Sequence, residues 1–206
     1  MPHGLSDLFN IFNKGEMLKS LFISKVRIRV LAKYMEDVNK SYHVRGLVRE
    51  LGEEINAVRR ELLSLKRVGL LTSKKDGNKI MYTINKDCSI VWDLRSMFFK
   101  QSETGKILYD KLFPIEGIKV ALVTEAFLKN KYPEKTDIDM LFIGDMKVRE
   151  LSLAVSALEK EMERVIKFAA MKVEDFEFGK KKRDPILINA LGGDKVILLG
   201  RDSDLI

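Results

Sequence analysis

Cysteine is nearly absent: Cys88 stands alone in 206 residues. A single thiol forms no internal disulfide and cannot by itself make a thiolate metal site, so a reducing compartment is expected. The two histidines, His3 and His43, offer neither a ligand cluster nor a catalytic pair. No apolar run reaches the roughly 18 residues that a membrane-spanning helix needs. The opening MPHGLSDLFNIFNKGEMLKSLF lacks the basic lead and apolar core of a signal peptide. These absences set the expectation of a cytoplasmic protein with no membrane partner.

What is present is 46% apolar and 33% charged residues, the composition of a soluble folded chain. Its length suits one domain or two small ones. The net charge of +7 is unevenly placed. Residues 1–100 carry 19 Lys and Arg against 11 Asp and Glu, whereas residues 101–206 carry 18 against 19. The cationic excess therefore belongs to the N-terminal half, and a polyanion is a reasonable partner for it.

Within ISKVRIRVLAKYMED (23–37), Val26, Val30, Leu31 and Tyr34 recur at helical spacing. HVRGLVREL (43–51) gives a shorter helix that Gly52 ends, and INAVRRELLSLKRVG predicts a longer one over about 54–68. Two helices joined by a short glycine-containing turn make a helix-turn-helix candidate. At about 100° per residue, Ile55, Val58, Leu62 and Leu65 should face the core. Asn56, Arg60, Leu63 and Arg67 then fall on the outward side, with Arg59 on its flank. Arginine pairs bidentately with guanine and asparagine with adenine, so this face suits the major groove. An ordinary amphipathic helix with a solvated basic face would look the same in isolation. LLTSKKDGNKIMYTIN (70–85) adds a hairpin turning at Asp76-Gly77-Asn78, with Lys74, Lys75 and Lys79 placed to meet phosphates. Three helices and then a basic hairpin form the order of a winged helix-turn-helix.

Residues 22–88 resemble the winged-helix domain of ArsR-like transcriptional regulators, with Leu62, Leu65, Gly69, Leu70 and Leu71 matching the close of the recognition helix. The resemblance implies sequence-specific binding to double-stranded DNA, usually as a homodimer. Metal-sensing members use cysteine or histidine clusters, which Cys88, His3 and His43 do not supply. Ile90, Val91, Leu94, Met97 and Phe98, with Trp92 nearby, form an apolar helical stripe over 89–104 that would cap the winged domain, pack against its copy in a dimer or serve as a core connector.

Beyond 105 the pattern changes to strands alternating with helices. GKILYDKLFPIEG gives a short helix or turn; IKVALVTEAF, DMLFIGD, IKFAAMKV and KVILLG give strands; 147–165 gives a long helix. Lys180-Lys181-Lys182-Arg183 reads as a surface loop, Gly192-Gly193-Asp194 as a turn, and RDSDLI as a frayed tail. The strand TDIDMLFIG opens with Asp137 and Asp139, which period-2 geometry puts on one side, as in a divalent-metal site.

Residues 117–200 are similar to minimal nucleotidyltransferases of the DNA polymerase beta-like superfamily, anchored by TDIDMLFIGD. In active members the two aspartates hold metal, and Asp137 and Asp139 match them. The resemblance breaks where active members carry a Gly-Ser and an Arg-Gly around the phosphates, because Thr124-Glu125 and Lys129-Asn130 stand there. A third strand carboxylate is also missing. Lys167 occupies its place and no acid occurs over 165–172. Glu125 is the one substitute ligand in reach. Two carboxylates hold Mg²⁺ only with help from substrate or water.

The resulting expectation is an α+β protein of two domains. A winged helix-turn-helix (1–88) and a connecting helix (89–104) precede a nucleotidyltransferase-like α/β domain with a small mixed sheet (105–206). The expected function is a double-stranded-DNA-binding transcriptional regulator. Asn56, Arg59, Arg60, Arg67, Lys74, Lys75, Asn78 and Lys79 contact the DNA. The C-terminal half is catalytically inactive and requires no cofactor; it dimerises or senses a nucleotide or other small effector, with Glu125, Asp137 and Asp139 as vestiges. The alternative is an active metal-dependent nucleotidyltransferase, with Mg²⁺ on Asp137 and Asp139, that the winged domain targets.

Overall fold

The computed structural model describes residues 21–129 and 136–205. His3 and Asn130 lie outside them. The chain divides into two compact units between Ser102 and Glu103, so the expected connector over 89–104 does not stand apart. Among the described residues, no helix is long and apolar enough to cross a membrane.

The N-terminal unit begins with helix α1 (Lys25–Glu36), started by Ser24, whose hydroxyl accepts from the Arg27 amide. The strand β1 (Tyr42–His43) leads into α2 (Val44–Leu51), and His43 caps it through Nδ1, which accepts from the Gly46 amide at 3.1 Å. His43 is thus a capping residue. Gly52 ends α2 at φ 65°, a left-handed conformation that glycine adopts without a Cβ penalty. After the turn 52–54 comes α3 (Ile55–Arg67), whose first free amides, of Asn56 and Ala57, are taken by the Glu54 carboxylate. The strands β2 (Leu71–Asp76) and β3 (Lys79–Ile84) pair antiparallel around Gly77-Asn78, and β1 joins the far side of β3, giving the order β1-β3-β2. Helix α4 (Val91–Gln101) closes the unit.

One apolar core unites these elements. Val30, Leu31 and Tyr34 of α1 meet Leu47 of α2, Val58, Leu62 and Leu65 of α3, and Val91 and Phe98 of α4. The stripe foreseen over 89–104 therefore fills the core of its own unit, although Ile90 and Trp92 remain exposed. Two polar links add direction: the buried Tyr34 hydroxyl donates to the Tyr82 carbonyl at 3.1 Å, and the half-buried Glu61 of α3 accepts from both Ser24 and Arg27 at 2.7 Å. Ile55, assigned to the core by helical phase, is 36% exposed. As the first residue of α3 it lies beyond the elements that cover Val58.

The C-terminal unit opens with α5 (Glu103–Leu112), then β4 (Ile118–Val123), the short helix α6 (Glu125–Leu128) and β5 (Met140–Gly144). It continues through α7 (Val148–Met162), β6 (Phe168–Met171), α8 (Val173–Lys182), α9 (Pro185–Gly192) and β7 (Val196–Leu199). The sheet runs β6-β5-β4-β7, antiparallel except for the β5–β6 pair, so it is mixed as expected. Val120, Leu122, Leu141 and Ile143 pack with Phe176 of α8 and Leu187 and Ala190 of α9. Their alternates Ala121, Val123, Met140 and Phe142 are buried too, so both faces of the central strands are covered.

Two local expectations are corrected. Lys180, Lys181 and Lys182 form the last turn of α8, where cations meet the negative end of the helix, and not a loop. The tail is not frayed: Asp202–Asp204 make a turn of 3₁₀-helix, and Leu205 is buried in the core of the C-terminal unit.

Candidate nucleic-acid interface and an acidic pocket

Helix α3 presents Asn56, Arg59, Arg60, Leu63 and Arg67 to solvent, opposite the buried line Val58, Leu62 and Leu65. Glu61 points elsewhere, tied to α1 by Arg27 at 2.7 Å, which keeps its negative charge off the outward face. Arg29 likewise holds Glu53, in the turn, at 2.7 Å. Glu61 and Glu53 are thus turned toward α1, while Glu54 stays exposed at the helix start, capping the Asn56 and Ala57 amides.

Lys74, Lys75, Asn78 and Lys79 are all exposed on the hairpin. The pairing Asp76↔Lys79, Lys75↔Ile80 and Lys74↔Met81 separates the lysines, however. Lys74 and Lys79 share one face of the ribbon with Asp76, and Lys75 lies on the other, because neighbouring residues alternate. The three do not act as one cationic row. Sequence reasoning passed over Arg45 and Arg49, exposed one turn apart on α2. Their i,i+4 spacing was the available signal.

In the C-terminal unit the two aspartates precede β5, which starts at Met140, and their carboxylates have different surroundings. Asp139 has no exposed surface. Its Oδ1 accepts from Arg164 at 2.6 Å and its Oδ2 from the Lys167 amide at 3.0 Å. The Arg164 guanidinium also lies over the Phe127 ring, 4.8 Å from its centre. Burial pushes the Asp139 carboxyl above the usual carboxylate range, against the opposing pull of the Lys167 amide and Arg164. Lys167 sits beside Asp139 at the start of the β5–β6 pair, its carbonyl accepting from the Asp139 amide at 2.6 Å. Arg164 was missed in the sequence because it follows α7 in a turn, 25 residues from the carboxylate it meets.

Asp137 instead lines an open cavity of about 480 Å³ with Thr124, Glu125, Ile188, Asn189 and Gly193. Asn189 Nδ2 donates to Thr136 Oγ1 at 2.9 Å and reaches Asp137 Oδ1 at 3.5 Å. Glu125 pairs with Lys129 one turn on. Its carboxylate also occupies the space that a side chain at residue 193 would fill: a Cβ there would sit 2.7 Å from Oε2. Thr124 is buried, its hydroxyl donating to the Ile138 carbonyl, so it offers the cavity little.

Magnesium was the ion the aspartates suggested. The residues do not fit it well, because both oxygens of Asp139 already accept from an arginine and an amide. Among the described residues, no three acids, histidines or cysteines come together to hold an ion.

No family model matches the chain, and no curated protein matches it. Among solved structures, reduced HlyU from Vibrio cholerae N16961 is similar over 47% of this chain and 90% of that one. The identity is 17% and the TM-score 0.31, a likeness too distant to carry an argument. The winged arrangement rests on the element order and strand pairing above.

Proposed function

We propose that the protein is a sequence-specific double-stranded-DNA-binding transcriptional regulator. The observation that carries this reading is the outward face of α3, where Asn56, Arg59, Arg60 and Arg67 stand exposed beside a lysine-bearing hairpin. Arginine and asparagine supply bidentate donors for guanine and adenine, while hairpin and α2 cations suit phosphates. An ArsR-like mode, with two copies setting two α3 helices one turn of DNA apart, agrees with the element order.

The C-terminal unit is proposed to be a nucleotidyltransferase-like module that no longer transfers nucleotides and serves dimerisation or ligand sensing. Supporting this are the engagement of Asp139 by Arg164 and the carboxylates of Glu125 and Asp137 in the cavity. A triphosphate placed there would meet the Asp137 carboxylate beside the Glu125–Lys129 pair.

Replacing Arg59 and Arg60 together with alanine tests the DNA reading, using duplexes selected from a random pool. Affinity should fall, and the slope of log K against log salt should shrink by about two for each bound copy, hence by about four for two copies, as these cations are lost. Unchanged affinity and slope would remove α3 from the interface.

A further inference from the structure

Leu63 is out of place on the face just described. It is 47% exposed, yet it stands on the centre line of the basic surface of α3, between Arg60 and Arg67 and one turn beyond Arg59. At about 100° per residue, Asn56, Arg60, Leu63 and Arg67 fall within about 60° of one another. Scattered exposed leucines need no explanation on an ordinary surface. A leucine in the middle of a donor-rich strip differs, because whatever covers the strip must satisfy the cations and offer an apolar contact between them. A second apolar protein face would leave the arginines desolvated and unpaired, at high cost.

The major groove of DNA meets both demands. It lines its floor with acceptors for arginine and asparagine and offers one apolar group, the 5-methyl of thymine. Asn56 and Leu63 are seven residues apart, a rise of about 10.5 Å. Leu63 therefore lies about two helical turns along the strip from Asn56 and faces the same side.

We infer that Leu63 is a specificity residue that contacts a thymine methyl in the major groove, at a base other than the one met by Asn56. The inference rests on the DNA-binding reading above and adds a base preference to it. Its neighbours supply attraction and polar readout; Leu63 supplies discrimination of thymine from cytosine, whose C5 carries only hydrogen.

The test uses the full chain and the duplex it prefers from a random pool, with each thymidine replaced singly by deoxyuridine, which pairs identically but lacks the methyl. The wild type should lose about fourfold in affinity at one position in each half-site, the worth of one buried methyl. Leu63→Ala should be indifferent to that replacement, since alanine keeps the helix but withdraws the contact. Leu63→Met, still long and apolar, should retain the sensitivity. Both variants should keep the wild-type salt dependence on random duplex. If no thymidine is sensitive, or if Leu63→Ala responds to deoxyuridine as the wild type does, the inference fails while the regulator reading stands. If no sequence is enriched and duplex binding does not depend on salt, the regulator reading fails and the inference falls with it.

Discussion

A carboxylate with no exposed surface has to be met by donors, and Asp139 is met by Arg164 and the Lys167 amide. Removing one member of such a pair leaves an uncompensated buried charge. Arg164→Ala should therefore destabilise the C-terminal unit by about 3 kcal/mol near neutral pH. The sign of its pH dependence follows from the carboxyl itself. Burial already raises its folded value above the unfolded one, so the neutral form is favoured in the fold and stability is lost as pH rises through that value. Without Arg164 the shift grows. The deficit of the variant should be largest at pH 7–8 and should shrink as acid protonates Asp139, which denaturant titrations at several pH values would measure. A deficit independent of pH would mean that Arg164 acts through its stacking on Phe127 and not through charge.

At the scale of elements, α3 owes its start to Glu54, which accepts from the Asn56 and Ala57 amides at 2.9 and 2.8 Å. Those two bonds hold the Glu54 carboxyl below its ordinary range. A depressed folded value has the opposite sign to Asp139: its stabilisation is present above the unfolded glutamate value and fades as pH falls through the folded one. Glu54→Ala should lower the melting temperature at neutral pH and leave a smaller difference from wild type in acid. Equal differences at both pH values would show that the cap does not depend on its charge. Much of α3 was legible in the sequence, because the spacing of Val58, Leu62 and Leu65 fixes its buried line. Ile55 was not, since periodicity describes a face and says nothing about where a covering element stops. The two-residue strand β1 is too short to carry any period. The split of Lys74 from Lys75 emerges only from the pairing register.

At the scale of the molecule, the chain joins a cation-rich unit carrying the α3 face to a unit whose cavity is lined by Glu125 and Asp137. The alternation of strands and helices and the mixed sheet were readable from the apolar runs. The fate of the paired aspartates was not. Their spacing matches a metal-holding strand, and the partner that changes their meaning, Arg164, lies in a turn beyond α7. The inactive reading of this unit gives a direct prediction. Incubation of the full chain with labelled nucleoside triphosphates and Mg²⁺ or Mn²⁺ should transfer no label to protein, RNA or small acceptors. Transfer that Asp137→Ala abolishes would restore the enzymatic reading. The pairing of Asp139 with Arg164 also bears on how this unit depends on its surroundings. A dissociable ion has to be captured from the solution and can be stripped by a chelator or displaced by a competing metal. Arg164 is made with its carboxylate in a fixed one-to-one ratio and arrives when the turn after α7 closes. The charge that meets Asp139 at the head of β5 is inherited with the chain.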